Sequence, residues 1–277
     1  MMPRAILALL LAALIPSAEA YVRVRTSGGD FLFRTDNQNI IFLMNDQTTA
    51  GMTNADAEVL ITADSDPFAA LQGSLKSWDA VSSADVAFAP LSTTPLVHDP
   101  ADNHVFVFLD TPDIRTIVGG AIAVTRMFFI GDGQNSGQFT DTDIIFNPNN
   151  TDSKTGDFIP YSTTLEPGTY DIQSIATHEV GHALGSDHTV VAGASMFPTL
   201  RTGAHFSSFI SADDACFLTS AYPAQGSVND FGALSGTVTV DGQPATGVFV
   251  TAIDSAAGVT VGALTDLSDG TYRIPLP

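Results

Sequence analysis

Between positions 178 and 188 the chain places His178, Glu179, His182 and His188 at spacings that can do chemistry together. On a helix, residues four apart lie on one face, one turn from each other. His178 and His182 can therefore each aim a ring nitrogen at one ion, at the ~2.0–2.1 Å that zinc prefers. Glu179 follows the first of them directly, so its carboxylate stands near such an ion but to one side. That placing suits a general base taking a proton from a water whose pKa the metal lowers to about 7. His188 lies too far along to reach the same ion if the helix ran on. Gly185 can adopt a left-handed backbone, end the helix and turn the chain back. Three neutral imidazoles then leave a fourth position open for water or a substrate carbonyl. A purely structural zinc site would need a fourth protein ligand, which the motif does not offer nearby.

Stepping outward, the segment from about Asp171 carries Ile172, Ile175, Ala176, Ala183 and Leu184 on one side, the pattern of a helix. Thr169 or Asp171 can cap it. After Pro67, the recurrence of Phe68, Leu71, Leu75 and Trp78 at three or four residues predicts another helix, capped by Asp66 or Asp64. A third is expected from about Ala212 to Ala221, ending before Pro223. Residues 21–25, 40–43, 105–109, 121–125, 127–130 and 143–146 read as extended segments. The stretch 147–167 is polar and rich in Gly and Pro, and is expected to be a long surface loop. Residues 224–232 read as a linker. Beyond it, 237–240, 248–252 and 272–274 are candidate strands of a small β unit. So little β structure is marginal alone, so the unit is incomplete or leans on a neighbour.

The stretch His178-Glu179-Val180-Gly181-His182-Ala183-Leu184-Gly185-Ser186-Asp187-His188 resembles the extended zinc signature of the metzincin metallopeptidases, and its second half is similar to the matrixin branch. Ser195-Met196-Phe197-Pro198 follows at the distance of that family's methionine turn, making Met196 the counterpart of a methionine that packs under the metal without binding it. Astacins and serralysins carry a tyrosine two residues beyond the methionine; this chain has Pro198, which favours the matrixin likeness. Gly119-Gly120-Ala121-Ile122-Ala123-Val124 looks like the matrixin edge strand. By resemblance, Ala121, Ile122, Ala123 and Val124 would hold substrate as an added strand, with Pro198 in the opposite wall. The resemblance implies an α+β zincin fold: a twisted mixed sheet with an antiparallel edge strand plus three helices, followed by a small all-β, sandwich-like segment. It spans residues 21–223. The tail, 233–277, is similar to a cut-short, transthyretin-type module of the carboxypeptidase regulatory kind. Three departures stand out. Cys216 lies downstream of the motif, where a latency cysteine would not be. The family's structural-zinc pattern is not evident at His104, so His98, His104 and His205 read as surface or core residues. Phe197 stands where a tyrosine is common.

Composition sets the outer bounds. The 277 residues carry 10 Lys+Arg against 30 Asp+Glu, a net charge of −20. That balance argues against nucleic acid or an anionic membrane as partner. Arg4, an apolar run over 5–15, Pro16 and Ala18-Glu19-Ala20 read as an export signal over 1–20, cleaved after Ala20. The run falls short of the ~20 residues of a membrane span. With Cys216 as the only cysteine, no internal disulfide can form, and burial as a small hydrophobe is expected. Asp132-Gly133-Gln134-Asn135 with Asp141 and Asp143 offers oxygens for calcium, without a complete calcium-loop pattern. The expectation is a secreted, monomeric zinc endopeptidase with one catalytic zinc, acting on protein or peptide substrates. The alternative is a secreted binding or adhesion protein on the same scaffold with little turnover. Glu179 separates them, since an inert relative would be expected to have lost its base.

Overall fold

The computed structural model describes residues 22–98, 103–204, 208–227 and 232–276. The expected export signal, Tyr21 and His205 lie outside these residues. The segment predicted at 40–43 begins with Ile40 bridged to Phe88 and becomes β1 (Phe42–Asn45). Next comes α1 (Pro67–Asp79), which starts where its sequence says it should. Pro67 occupies the first turn, and the Asp66 carboxylate accepts the Ala69 amide at 2.9 Å. Then follow β2 (Ser92–Thr94), β3 (His104–Val107), a short α2 (Pro112–Val118), β4 (Ala123–Phe129) and β5 (Phe139–Phe146). The five strands form one sheet in the order β2-β1-β3-β5-β4. All neighbours are parallel except β4, which runs antiparallel to β5 at the rim. The mixed sheet with an antiparallel edge expected from sequence is therefore present.

Two short strands, β6 (Tyr161–Ser162) and β7 (Tyr170–Asp171), lead into α3 (Ile172–Ala183). Of the two candidate caps, Asp171 is the one used, accepting the Ser174 amide at 2.8 Å. Helix α3 packs on α1, and the buried Trp78 indole donates to the Thr177 carbonyl at 2.9 Å across the contact. Helix α4 (Ala212–Ala221) matches its predicted span and opens with a capping box between Ser211 and Asp214. One apolar core runs through the sheet face, α1, α3 and α4, with Phe42, Phe106, Phe146, Leu71, Leu75, Ile172 and Phe217 essentially without solvent contact.

Two expectations change. The sequence predicts three helices, and the described residues contain four. The seven residues of α2 bury only Ile114 and Val118, too few to show a period, although Thr111 as cap and Pro112 in the first turn were readable start signals. The stretch 147–167 is only partly a surface loop. Tyr161 is fully buried, and its hydroxyl lies 2.7 Å from the Ile122 carbonyl and 3.0 Å from that of Asn147. Polar composition concealed a single aromatic anchor.

A buried ionic knot fastens the start of the chain to the end of α3. The Arg34 guanidinium pairs with Asp36 at 2.8 Å and donates to the Ala183 carbonyl at 3.2 Å. It also contacts His104, whose Nδ1 lies 3.0 Å from the buried Asp141 carboxylate. His98 sits elsewhere, 3.1 Å from Asp113 and accepting from Arg126. Both histidines are thus partly buried and hydrogen-bonded between an arginine and an aspartate.

The tail contains β8 (Gly232–Thr237), β9 (Thr239–Val240), β10 (Gln243–Pro244), β11 (Phe249–Asp254), β12 (Val259–Leu264) and β13 (Thr271–Leu276). They pair antiparallel as β13-β8, β11-β12 and β10-β9. The tail leans on a neighbour, as its meagre core requires. Val261, Ala263 and Ile274 are buried in the same cluster as Phe217 and Leu218 of α4. The Gly262 amide donates to the Asp213 carboxylate at 2.7 Å, and the Cys216 thiol lies 3.6 Å from the Pro275 carbonyl. Burial pushes that thiol up to about 12, so Cys216 is the inert small hydrophobe expected.

Candidate metal centre

Helix α3 ends by a left-handed turn at Gly185, whose φ is 95°. The Gly185 amide donates to the His182 carbonyl at 2.9 Å and the Ser186 amide to the Gly181 carbonyl at 3.0 Å, the paired bonds of a Schellman motif. A side chain at 185 would also press within 2.9 Å of the Leu32 carbonyl oxygen. The chain then doubles back and brings His188 over the helix face that carries His178 and His182. The Nε2 atoms of His178 and His188 are 3.2 Å apart, and those of His182 and His178 are also 3.2 Å apart. Among the described residues, these three form the one group of three or more metal-ligating side chains close enough to share an ion.

Proton placement makes that spacing informative. The Nδ1 of His178 lies 2.6 Å from the Ser195 carbonyl oxygen, and that of His182 lies 2.8 Å from the Ser186 carbonyl oxygen. A carbonyl can only accept, so both Nδ1 atoms carry the proton and both Nε2 atoms present bare lone pairs. Lone pairs face to face repel unless a cation stands between them. A tetrahedral ion with nitrogens at ~2.0–2.1 Å would separate its ligands by about 3.3 Å, close to what is seen. The residues present therefore fit a zinc ion. Burial also lowers the pKa of His178 and His182 to about 4, which keeps both rings neutral as ligands must be.

That depression has a consequence for the metal-free protein. Below the ordinary imidazole value of 6.5, the unfolded chain takes up protons that the fold refuses until about pH 4. The stability these rings contribute is complete above pH 6.5, falls as pH drops toward 4, and levels off below. Glu179 and Asp213, whose carboxyls burial raises (Asp213 to about 6), act in the opposite sense over part of this window. Urea unfolding of chelator-treated protein between pH 7 and 4 should therefore show a smaller acid loss in His182→Gln than in the wild type. An equal loss in both would remove His182 from this account.

Glu179 is buried beside the imidazoles, and burial raises its carboxyl above the ordinary range. Beneath them lies Met196, 1% exposed. Gly181 is the residue that lets it approach: a Cβ there would overlap the Met196 sulfur and come within 2.9 Å of the Trp78 ring. The methionine turn is tied down from α4. The Asp214 carboxylate accepts the Ser195 amide at 2.8 Å and the Met196 amide at 3.2 Å, while Thr189 beside His188 donates its amide to the Met196 carbonyl at 3.0 Å. Asp214 was visible in sequence only as an acid in a helical first turn; its reach across to residues 195 and 196 is a property of the fold.

The imidazoles floor a cleft of about 600 Å³. One wall is formed by Ala123 and Val124 at the start of the rim strand and by Ala121 and Ile122 just before it, so the strand expected from 121 begins two residues later; Phe197, Pro198 and Leu200 also line the cleft. All five residues expected to touch substrate thus line it. So does Val24, from a segment whose amide donates to the Gly185 carbonyl at 3.0 Å. The oxygens considered for calcium are not brought together: the 131–135 turn is exposed, whereas Asp141 faces His104 and Asp143 accepts the Val105 amide. A family model described as Matrixin matches residues 45–223, more than half of the chain. No curated protein matches it.

Proposed function

The chain belongs to the matrixin family of zinc metallopeptidases, and from that membership and the cleft we propose a secreted endopeptidase with His178, His182 and His188 as zinc ligands and Glu179 as general base. The observation carrying this reading is the convergence of three imidazole Nε2 atoms beside a buried carboxylate in an open cleft. When bound, zinc would polarise the scissile carbonyl and acidify the attacking water. Glu179 would take that water's proton and pass it to the departing amine, which leaves as a neutral group. Substrate would pair along the free edge of β4, in contact with Ala121 to Val124, with Pro198 bounding the far side. Met196 would buttress the ligands from below. We take the peptidase unit as 21–223, reached after loss of the 1–20 signal, with 224–232 as connector to the 233–277 strands.

An inert binding protein on this scaffold would have no use for a buried carboxylate at Glu179, so retention of that residue favours turnover. The test is direct. Protein purified and loaded should hold one zinc per chain and cleave denatured casein or gelatin, and a chelator should stop the cleavage. Zinc-loaded protein that leaves both substrates intact would overturn the reading.

A further inference from the structure

Strand β4 alternates its faces, so Ala123, Thr125 and Met127 share the side toward α3. The Thr125 hydroxyl lies 2.7 Å from Oε2 of Glu179 and 2.8 Å from the carbonyl oxygen of the same residue. Its single proton is within reach of two acceptors belonging to one amino acid, one on the helix backbone and one at the end of the side chain. That clamps the carboxylate against its own helical turn. The other oxygen, Oε1, has no hydrogen-bond partner among the described residues, and Glu179 lines the cleft.

We propose that Thr125 is the positioning residue of the base: by holding Oε2 it dedicates Oε1 of Glu179 to the proton of the attacking water. This rests on the peptidase reading above. A bond from a hydroxyl to an ionised carboxylate is among the stronger single hydrogen bonds. Without it, the Glu179 side chain regains rotamers that point away from the ligands. The clamp also joins two jobs on one short stretch of chain, the start of β4 and the two residues before it. Residues 121–124, which line the substrate side of the cleft, immediately precede the residue that aims the base. A peptide seated along β4 is thereby registered against the carboxylate through one rigid element rather than through a mobile loop. Thr125 itself neither gains nor loses a proton in the reaction.

The experiment compares Thr125→Val, which keeps shape and loses the hydroxyl, with Thr125→Ser, which keeps the hydroxyl and loses a methyl. Both are made in the full chain. In zinc-loaded protein, Thr125→Val should lower kcat by about 10- to 100-fold with KM within about twofold of the wild type. Zinc stoichiometry should stay at one, and Thr125→Ser should recover to within about threefold. A second readout needs no turnover. Acetohydroxamate chelates zinc and offers its N–H and O–H to a neighbouring carboxylate, so its affinity should fall about tenfold in Thr125→Val and be restored in Thr125→Ser. Thr125→Val at wild-type kcat and hydroxamate affinity would overturn the proposal. So would loss of zinc or of kcat in Thr125→Val that Thr125→Ser does not rescue, because that pattern belongs to packing. If the wild type cleaves nothing, the peptidase reading fails, and the hydroxamate comparison still decides what Thr125 does.

Discussion

Glu179→Ala should retain one zinc per chain and lose about 10²- to 10⁴-fold in peptide cleavage, the usual worth of a positioned general base. The three imidazoles supply the ligand set without it, and its removal leaves their Nδ1 bonds to Ser195 and Ser186 untouched. The attacking water would then lose the carboxylate that accepts its proton, and the Thr125 hydroxyl that remains there is far too weak a base to replace it. Zinc content by elemental analysis and kcat/KM on a casein-derived peptide are the two measurements needed. An unchanged rate takes Glu179 out of the chemistry. Loss of zinc alongside activity would make it a structural support of the ligands.

Arg34→Met should destabilise the fold by about 2–3 kcal/mol, with a fall in Tm on the order of 5–10 °C. The side chain is 1% exposed and forms the centre of its network. Its removal takes a donor from the Ala183 carbonyl at the end of α3 and from His104, which sits beside the buried Asp141. Methionine has similar reach but cannot compensate charge. Asp36 is 46% exposed and can rehydrate, so the cost falls on the Ala183 carbonyl and His104, which lose a donor away from water. Chemical unfolding at neutral pH measures this; a change below about 1 kcal/mol would mean that the network reorganises around its remaining members.

Residues 171–198 were legible because their chemistry is local. The i, i+4 pair, the glycine stop and the capping aspartate each act within one or two turns, so spacing alone describes them. Helix α1 was legible for the same reason, through an apolar stripe and a start signal at Asp66, and α4 through its span ahead of Pro223, while its Ser211 cap emerges only in the fold. What sequence did not disclose joins distant positions. Thr125 meets Glu179 across 54 residues, and Arg34 meets Ala183 across 149. Nothing in the spelling of β4 distinguishes a threonine that aims a base from one that favours a strand. Tyr161 shows the complementary failure, in which one buried aromatic was outvoted by polar neighbours. The tail was seen as strands in need of support, but only the fold reveals that α4 gives it.

Helix α4 faces two ways. Asp214 grips the amides under the imidazoles, while its neighbour Asp213 receives Gly262 from β12, and Val261, Ala263 and Ile274 complete the apolar lining around Phe217. The family similarity stops at residue 223, yet the apolar packing does not. Opening of the β12 and β13 strands would expose the back of the helix that steadies residues 195 and 196, so tail and site floor are expected to unfold together. A protease that nicked the tail loose, or a fusion partner grafted on at residue 223, would loosen the enzyme from behind without touching a single ligand.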